Sequence, residues 1–131
     1  PALGILTINA FTAADTVLMP VKPDIYSLQG LVQLNGTLEE VRKKSNPSLK
    51  AAGILLTHFA SRETASKVIR ETSQDIAQKL GIPLLDTTIR RSNEVTNAQI
   101  HREDAFSYSP RNKAVGDYRA LVEELISREV L

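Results

Sequence analysis

The sequence contains no cysteine. That excludes a disulfide framework, a thiolate zinc knuckle and a thiol nucleophile. Tryptophan is also absent, and aromatic residues make up only 5% of the chain, too few for a base-stacking platform. Charge of one sign is missing as well. Sixteen Lys and Arg offset fifteen Asp and Glu, leaving a formal net charge of +1. This is not the basic excess of a dedicated nucleic-acid binder, so any phosphate contact has to come from a local patch. The six glycines are isolated, and neither G-x-x-x-x-G-K-[ST] nor G-x-G-x-x-G occurs. The apolar runs, such as residues 51–57, are far shorter than the ~20 residues that span a bilayer. Residues 1–14 carry neither the basic lead nor the small-residue cleavage site of a signal peptide. A cytoplasmic protein is the expectation.

What is present is enough for one core. The chain has 131 residues, 42% of them hydrophobic and 24% charged, as expected of a single globular domain. It opens at Pro1 directly into an apolar stretch, Ala2 to Ala10, without a solubilising tail. That start is expected of a piece cut from a longer protein.

Hydrophobic patterning sets the element order. Residues 16–21 and 51–57 form short apolar runs between turn residues and are expected to be buried strands. Residues 84–89 give a third, weaker strand. Residues 24–26 are expected to be a loop, with Ser27 capping a helix that runs to Lys44 and stops before Asn46-Pro47. Arg42, Lys43 and Lys44 suit the negative end of that helix's dipole. A second helix places Ala65, Val68, Ile69, Thr72, Ile76, Ala77 and Leu80 on one face and ends at Gly81. A final helix from Asn112 puts Val115, Tyr118, Leu121, Val122, Leu125 and Ile126 on one side. Between them, residues 90–110 lack a clear period and hold at most a short helix over 94–100. Strands alternating with helices imply βαβ units, hence a parallel sheet covered on both faces. Three strands fall below the usual ~4–6, which again points to missing material.

Few residue patterns carry chemistry on their own. His58 and His101 lack the three or four converging ligands of a metal site, and no metal is expected. Ser27, Ser61 and Ser107 lie in no nucleophile elbow. The pairs Glu39-Glu40 and Glu123-Glu124 are neighbours on helices and are expected on solvated faces. No catalytic residue is assigned. The arginines carry more weight. Arg62 follows the second strand, and Arg90 and Arg91 follow the third. In doubly wound sheets ligands collect at the carboxyl ends of strands, so these three could meet phosphate together.

Several stretches in order resemble the ParA/Soj family of plasmid and chromosome partitioning ATPases. They are Pro1-Ala2-Leu3-Gly4-Ile5-Leu6-Thr7-Ile8-Asn9-Ala10-Phe11-Thr12-Ala13-Ala14-Asp15, Val17-Leu18-Met19-Pro20-Val21, Tyr26-Ser27-Leu28-Gln29-Gly30-Leu31, Gly53-Ile54-Leu55-Leu56-Thr57 and Tyr108-Ser109-Pro110-Arg111-Asn112-Lys113-Ala114 with Tyr118 beyond. The resemblance implies an α/β fold, part of a doubly wound, mostly parallel sheet of the P-loop NTPase type whose N-terminal half is missing. Residues 1–131 would then be the C-terminal half of a ParA-like ATPase domain. The parent would bind ATP with Mg, dimerise, bind DNA non-specifically and answer to a centromere-binding ParB-like protein on the nucleoid. The resemblance places Thr57, Arg91 and Ser92 near the nucleotide base, and Arg62 on the DNA face with Arg90 and Arg91 as substitutes. The family's Ile-Pro-Arg-Asn stands here as Ile89-Arg90-Arg91-Ser92, and a second family arginine falls on Glu94. This chain alone is expected to be inactive. Two other readings follow. One is a non-catalytic interaction module that dimerises through an exposed sheet edge. The other is a MinD-like positioning ATPase fragment, disfavoured because the C-terminal helix lacks a basic amphipathic tail and no membrane contact is expected.

Overall fold

The computed structural model describes residues 4–60 and 64–131. The elements are α1 (Ile5–Ala13), β1 (Thr16–Val21), α2 (Ile25–Lys44), β2 (Lys50–Thr57), α3 (Thr64–Leu80), β3 (Leu84–Ile89), α4 (Asn93–His101), α5 (Ala105–Tyr108) and α6 (Lys113–Ser127). The strands form one parallel sheet in the order β1-β2-β3. The expected α/β architecture with flanking helices is what the chain adopts.

Two cores lie on the two sides of the sheet. On one, Met19, Val21, Ile54, Leu56 and Leu84 pack against Phe11 of α1, Leu28, Leu31, Leu38 and Val41 of α2, and Ala77 of α3. On the other, Ala52, Leu55, Leu85 and Ile89 pack against Leu121 and Leu125 of α6. The central strand β2 is therefore buried continuously from Ala52 to Leu56 instead of alternating. A register shift at Val17/Leu18 leaves Ala52 as the extra residue. At Gly53 the backbone has φ +152°, and a Cβ there would lie 2.8 Å from Leu85 Cδ2. Glycine is needed because Leu85 packs directly onto the β2 backbone. The expectation of cover on both faces fails at β1, where Met19 and Val21 are buried but Pro20 is exposed. No fourth strand pairs with β1 among the described residues.

Local sequence signals explain most element ends. α3 ends in a Schellman turn. Gly81 takes φ +66°, with Ile82 N–H bonded to Ala77 C=O at 3.0 Å and Gly81 N–H to Gln78 C=O at 3.2 Å. Asn46 ties the ends of α1 and α2 together, its Nδ2 donating to the carbonyls of Phe11 and Ala14 at 3.0 and 2.7 Å.

Four expectations change. α2 begins at Ile25 because Asp24, not Ser27, is the cap, and its carboxylate accepts Ser27 N–H and Ser27 Oγ–H at 2.8 Å each. These bonds hold the Asp24 carboxyl below the usual carboxylate range, the backbone N–H of Ser27 contributing most. On α3 the buried positions include Ser66 and Ser73 while Val68 is 56% exposed, so the packed face is rotated from the apolar stripe. Ser73 tolerates burial because its hydroxyl donates to Ile69 C=O at 2.7 Å. Residue 65 of that stripe lies outside the described side chains. On α6 Val122 and Ile126 are exposed, and burial passes through Ala114, Val115, Leu121 and Leu125. α5 is a short helix the sequence did not signal.

Candidate functional site

The carboxyl ends of β2 and β3 open into a cavity of about 220 Å³, lined by residues that include Thr57, His58, Arg91, Ser92, Val95 and Tyr118. This is below the roughly 300–1,000 Å³ of ordinary ligand pockets, so it accommodates one ring or one charged group of a larger ligand. It sits where open parallel sheets collect ligands.

Each wall has a local cause. Thr57 closes β2, and its hydroxyl donates to Val21 C=O at 3.3 Å, joining the ends of β1 and β2. His58 takes φ +55°, turning the chain out of the sheet. Phe59 N–H then bonds Ile89 C=O at 3.1 Å, so the two strand ends stay together beyond the ladder. Ser92 caps α4, its Oγ accepting Glu94 N–H at 3.2 Å and donating to Asn112 Oδ1 at 3.3 Å. Asn112 in turn caps α6 by accepting Ala114 N–H at 2.8 Å.

The two arginines of the loop differ. Arg90 is bound to Asp117 of α6 three times: backbone N to Oδ2 at 3.0 Å, Nε to Oδ2 at 2.7 Å and Nη2 to Oδ1 at 2.8 Å. The hydrogen bond to Asp117 raises the guanidinium pKa above its ordinary value, outweighing desolvation. Arg91 is exposed and makes no ion pair or hydrogen bond among the described residues. Glu94 lies in the first turn of α4.

The structure therefore gathers Thr57, Arg90, Arg91 and Ser92 around one cavity. Arg62 lies outside the described residues. The sequence did not single out Tyr118, His58 or Asp117 as site residues. Tyr118 carried a signal: a ring with a polar tip inside an apolar helix stripe fits a cavity wall better than a core. Asp117 carried none, because its partner is distant in sequence.

A second, larger groove of about 750 Å³ runs along β1 between α1 and α2, with Phe11, Leu18, Pro20, Leu31 and Leu34 among its lining. Thr57 borders both spaces. Among the described residues no three His, Asp or Glu converge as metal ligands. No described helix is long and apolar enough to cross a membrane.

The AAA domain family profile matches residues 1–51. The chromosome partitioning protein ParA of Caulobacter vibrioides is 34% identical over 98% of this chain and 47% of its own length. The sporulation initiation inhibitor protein Soj of Bacillus subtilis is 36% identical over 95% of this chain and 48% of its own. The chromosome-partitioning ATPase Soj of Thermus thermophilus is 32% identical over 98% and 50%. Among solved structures, cobyrinic acid a,c-diamide synthase from Mycobacterium smegmatis with bound ADP and magnesium superposes with a TM-score of 0.61 at 33% identity, covering 85% of this chain and 46% of that one. The fold is thus the parallel α/β fold of the P-loop class. Within that class, the chain is homologous to the ParA/Soj partitioning ATPases over nearly its whole length. It spans about half the length of these relatives.

Proposed function

We propose that residues 1–131 form the C-terminal half of a ParA-like ATPase domain and supply the base wall of its ATP site. The observation that carries this is the cavity of about 220 Å³ at the carboxyl ends of β2 and β3, where Thr57, Arg91 and Ser92 meet. A relative named as a chromosome-partitioning ATPase and a structural neighbour that holds ADP with magnesium support the same assignment. Arg91 offers a planar cation to a base or a phosphate, and the Thr57 and Ser92 hydroxyls offer acceptors to a base edge.

The whole protein would use ATP and Mg to dimerise, bind DNA of any sequence through Arg62 and Arg91, with Arg90 beside them, and respond to a ParB-like partner on the nucleoid. Gripping a triphosphate takes converging backbone N–H groups and a lysine in a glycine-rich loop. The 131 residues contain no such loop. The chain alone therefore does not hydrolyse ATP. The test is a hydrolysis assay on the purified chain. Background rate is expected, and turnover abolished by mutating one of the chain's own residues would contradict the assignment.

The open edge of β1, with its apolar groove of about 750 Å³, favours a second reading: an interaction module that pairs edge to edge with another copy. Unpaired parallel edges recruit strands. Sizing by light scattering separates the two, since a concentration-independent monomer is incompatible with edge pairing.

A further inference from the structure

The loop of residues 90–92, between β3 and α4, is held from α6 at both ends. Ser92 Oγ bonds Asn112, and Arg90 bonds Asp117 through its backbone N–H and two guanidinium nitrogens. Ile89, just before the loop, is 4% exposed and fixed in the core. Besides the start of α4, whose Glu94 N–H Ser92 accepts, its side-chain anchors come from α6 and the residue that caps it.

The pair is unequal in burial. Asp117 is 12% exposed while Arg90 is 50% exposed. A largely buried carboxylate that loses its counter-ion is costly, and Arg90 swinging to a bound anion would leave Asp117 with only the Arg90 backbone N–H. A fork of two parallel N–H···O bonds is also geometrically demanding, which fixes the direction in which Arg90 leaves the backbone. Its neighbour Arg91 then has no intramolecular partner among the described residues and stays at the cavity.

We propose that Asp117 is the positioning residue of this loop: it sequesters Arg90 and thereby makes Arg91 the arginine that meets a ligand. This rests on the reading of the cavity as a nucleotide-base site. The claim concerns two adjacent residues of the same type with opposite duties, one structural and one facing ligand.

Amide hydrogen exchange on the full chain tests the positioning. In Asp117→Asn, exchange at the Arg90 amide, the N–H that Asp117 accepts, is expected to rise at least tenfold, while the amides of β2 and the middle of α6 stay unchanged. A pair that merely stabilised the fold would raise exchange across β3 and α6 together. Arg90→Ala, which removes the two guanidinium bonds but keeps the backbone N–H to Asp117, should loosen the loop less, and the double variant should be no looser than Asp117→Asn. If Asp117→Asn fails to fold, Arg90→Ala carries the comparison with a smaller expected rise at the residue-90 amide. Exchange at the Arg90 amide of Asp117→Asn within twofold of wild type overturns the proposal.

MgATP titration of the whole protein, whose C-terminal half this chain is proposed to be, followed through the same amide, separates this from the site assignment. With wild type binding, Arg91→Ala should weaken MgATP at least tenfold without loosening the loop, and Asp117→Asn should weaken it while loosening the loop. Undiminished binding in Asp117→Asn contradicts the positioning role. If Asp117→Asn loosens the loop but wild type shows no MgATP response, the positioning role stands and the base-site reading falls.

Discussion

The carboxylate of Glu124 on α6 accepts the backbone N–H of Thr87 on β3 at 2.8 Å. Its other oxygen accepts the N–H of Asp86 at 2.9 Å, and Arg128 joins the cluster through Nε at 2.9 Å. About two helical turns earlier, Asp117 takes the N–H of Arg90. Carboxylates of one helix thus take the N–H groups of Asp86, Thr87 and Arg90 along β3, while no described strand lies beyond β1.

Glu124 is only 11% exposed, so the expectation of a solvated Glu123-Glu124 face holds for Glu123 alone. Glu124→Ala leaves two edge N–H groups unpaired and should cost about 1–3 kcal/mol in urea unfolding. Glu123→Ala, on the exposed side, should change stability by less than about 0.5 kcal/mol.

The same residue sets an acid response. Burial alone would push the Glu124 carboxyl up, but hydrogen bonds from Thr87, Asp86 and Arg128 outweigh it and hold the pKa below its ordinary value. A carboxyl depressed in the folded state adds stability that is complete above its unfolded pKa, near ~4.3, and is lost as pH falls through the folded value. Denaturation followed from pH 7 downward should show this loss below about pH 4, and Glu124→Gln should flatten that part of the curve.

Gly53→Ala tests the close contact of β2 and β3. The added Cβ would sit 2.8 Å from Leu85 Cδ2 and 3.0 Å from Pro83 O, at φ +152°. Overpacking and backbone strain together should cost about 2–4 kcal/mol, measured by thermal or urea unfolding.

The DNA assignment predicts a graded series. In the whole protein, Arg62→Ala and Arg91→Ala should each weaken binding to all sequences alike and reduce the slope of log K against log salt by about 0.9. Arg90→Ala should reduce it less, because Asp117 already neutralises that charge. Equal slopes for Arg90→Ala and Arg91→Ala would remove the distinction.

Legibility from the sequence followed the range of the physics. β1 and β3 fall where apolar runs between turn residues placed them, because strand burial in a parallel sheet is written locally. The end of α3 at Gly81 and the start of α6 at Asn112 were equally visible as caps. The start of α2 was missed because Asp24 competes with Ser27 for the same capping role. Periodicity located the apolar stripes of α3 and α6 but not which part of each stripe meets a neighbour, so Val68 and Ile126 are exposed. Thr57, Arg91 and Ser92, which the family resemblance had put near the nucleotide base, line one cavity. Asp117 and Glu124 act through partners 27 and 37 positions away, a relation no local pattern records.

The central claim is that the ends of β2 and β3 face the base of ATP. Photolabelling of the whole protein with 8-azido-ATP in Mg²⁺, followed by mass spectrometry of the modified peptide, tests it most directly. The account predicts label within residues 89–92 or at Thr57, reduced by competing ATP and by Arg91→Ala. Competable label confined to peptides away from these strand ends would contradict it.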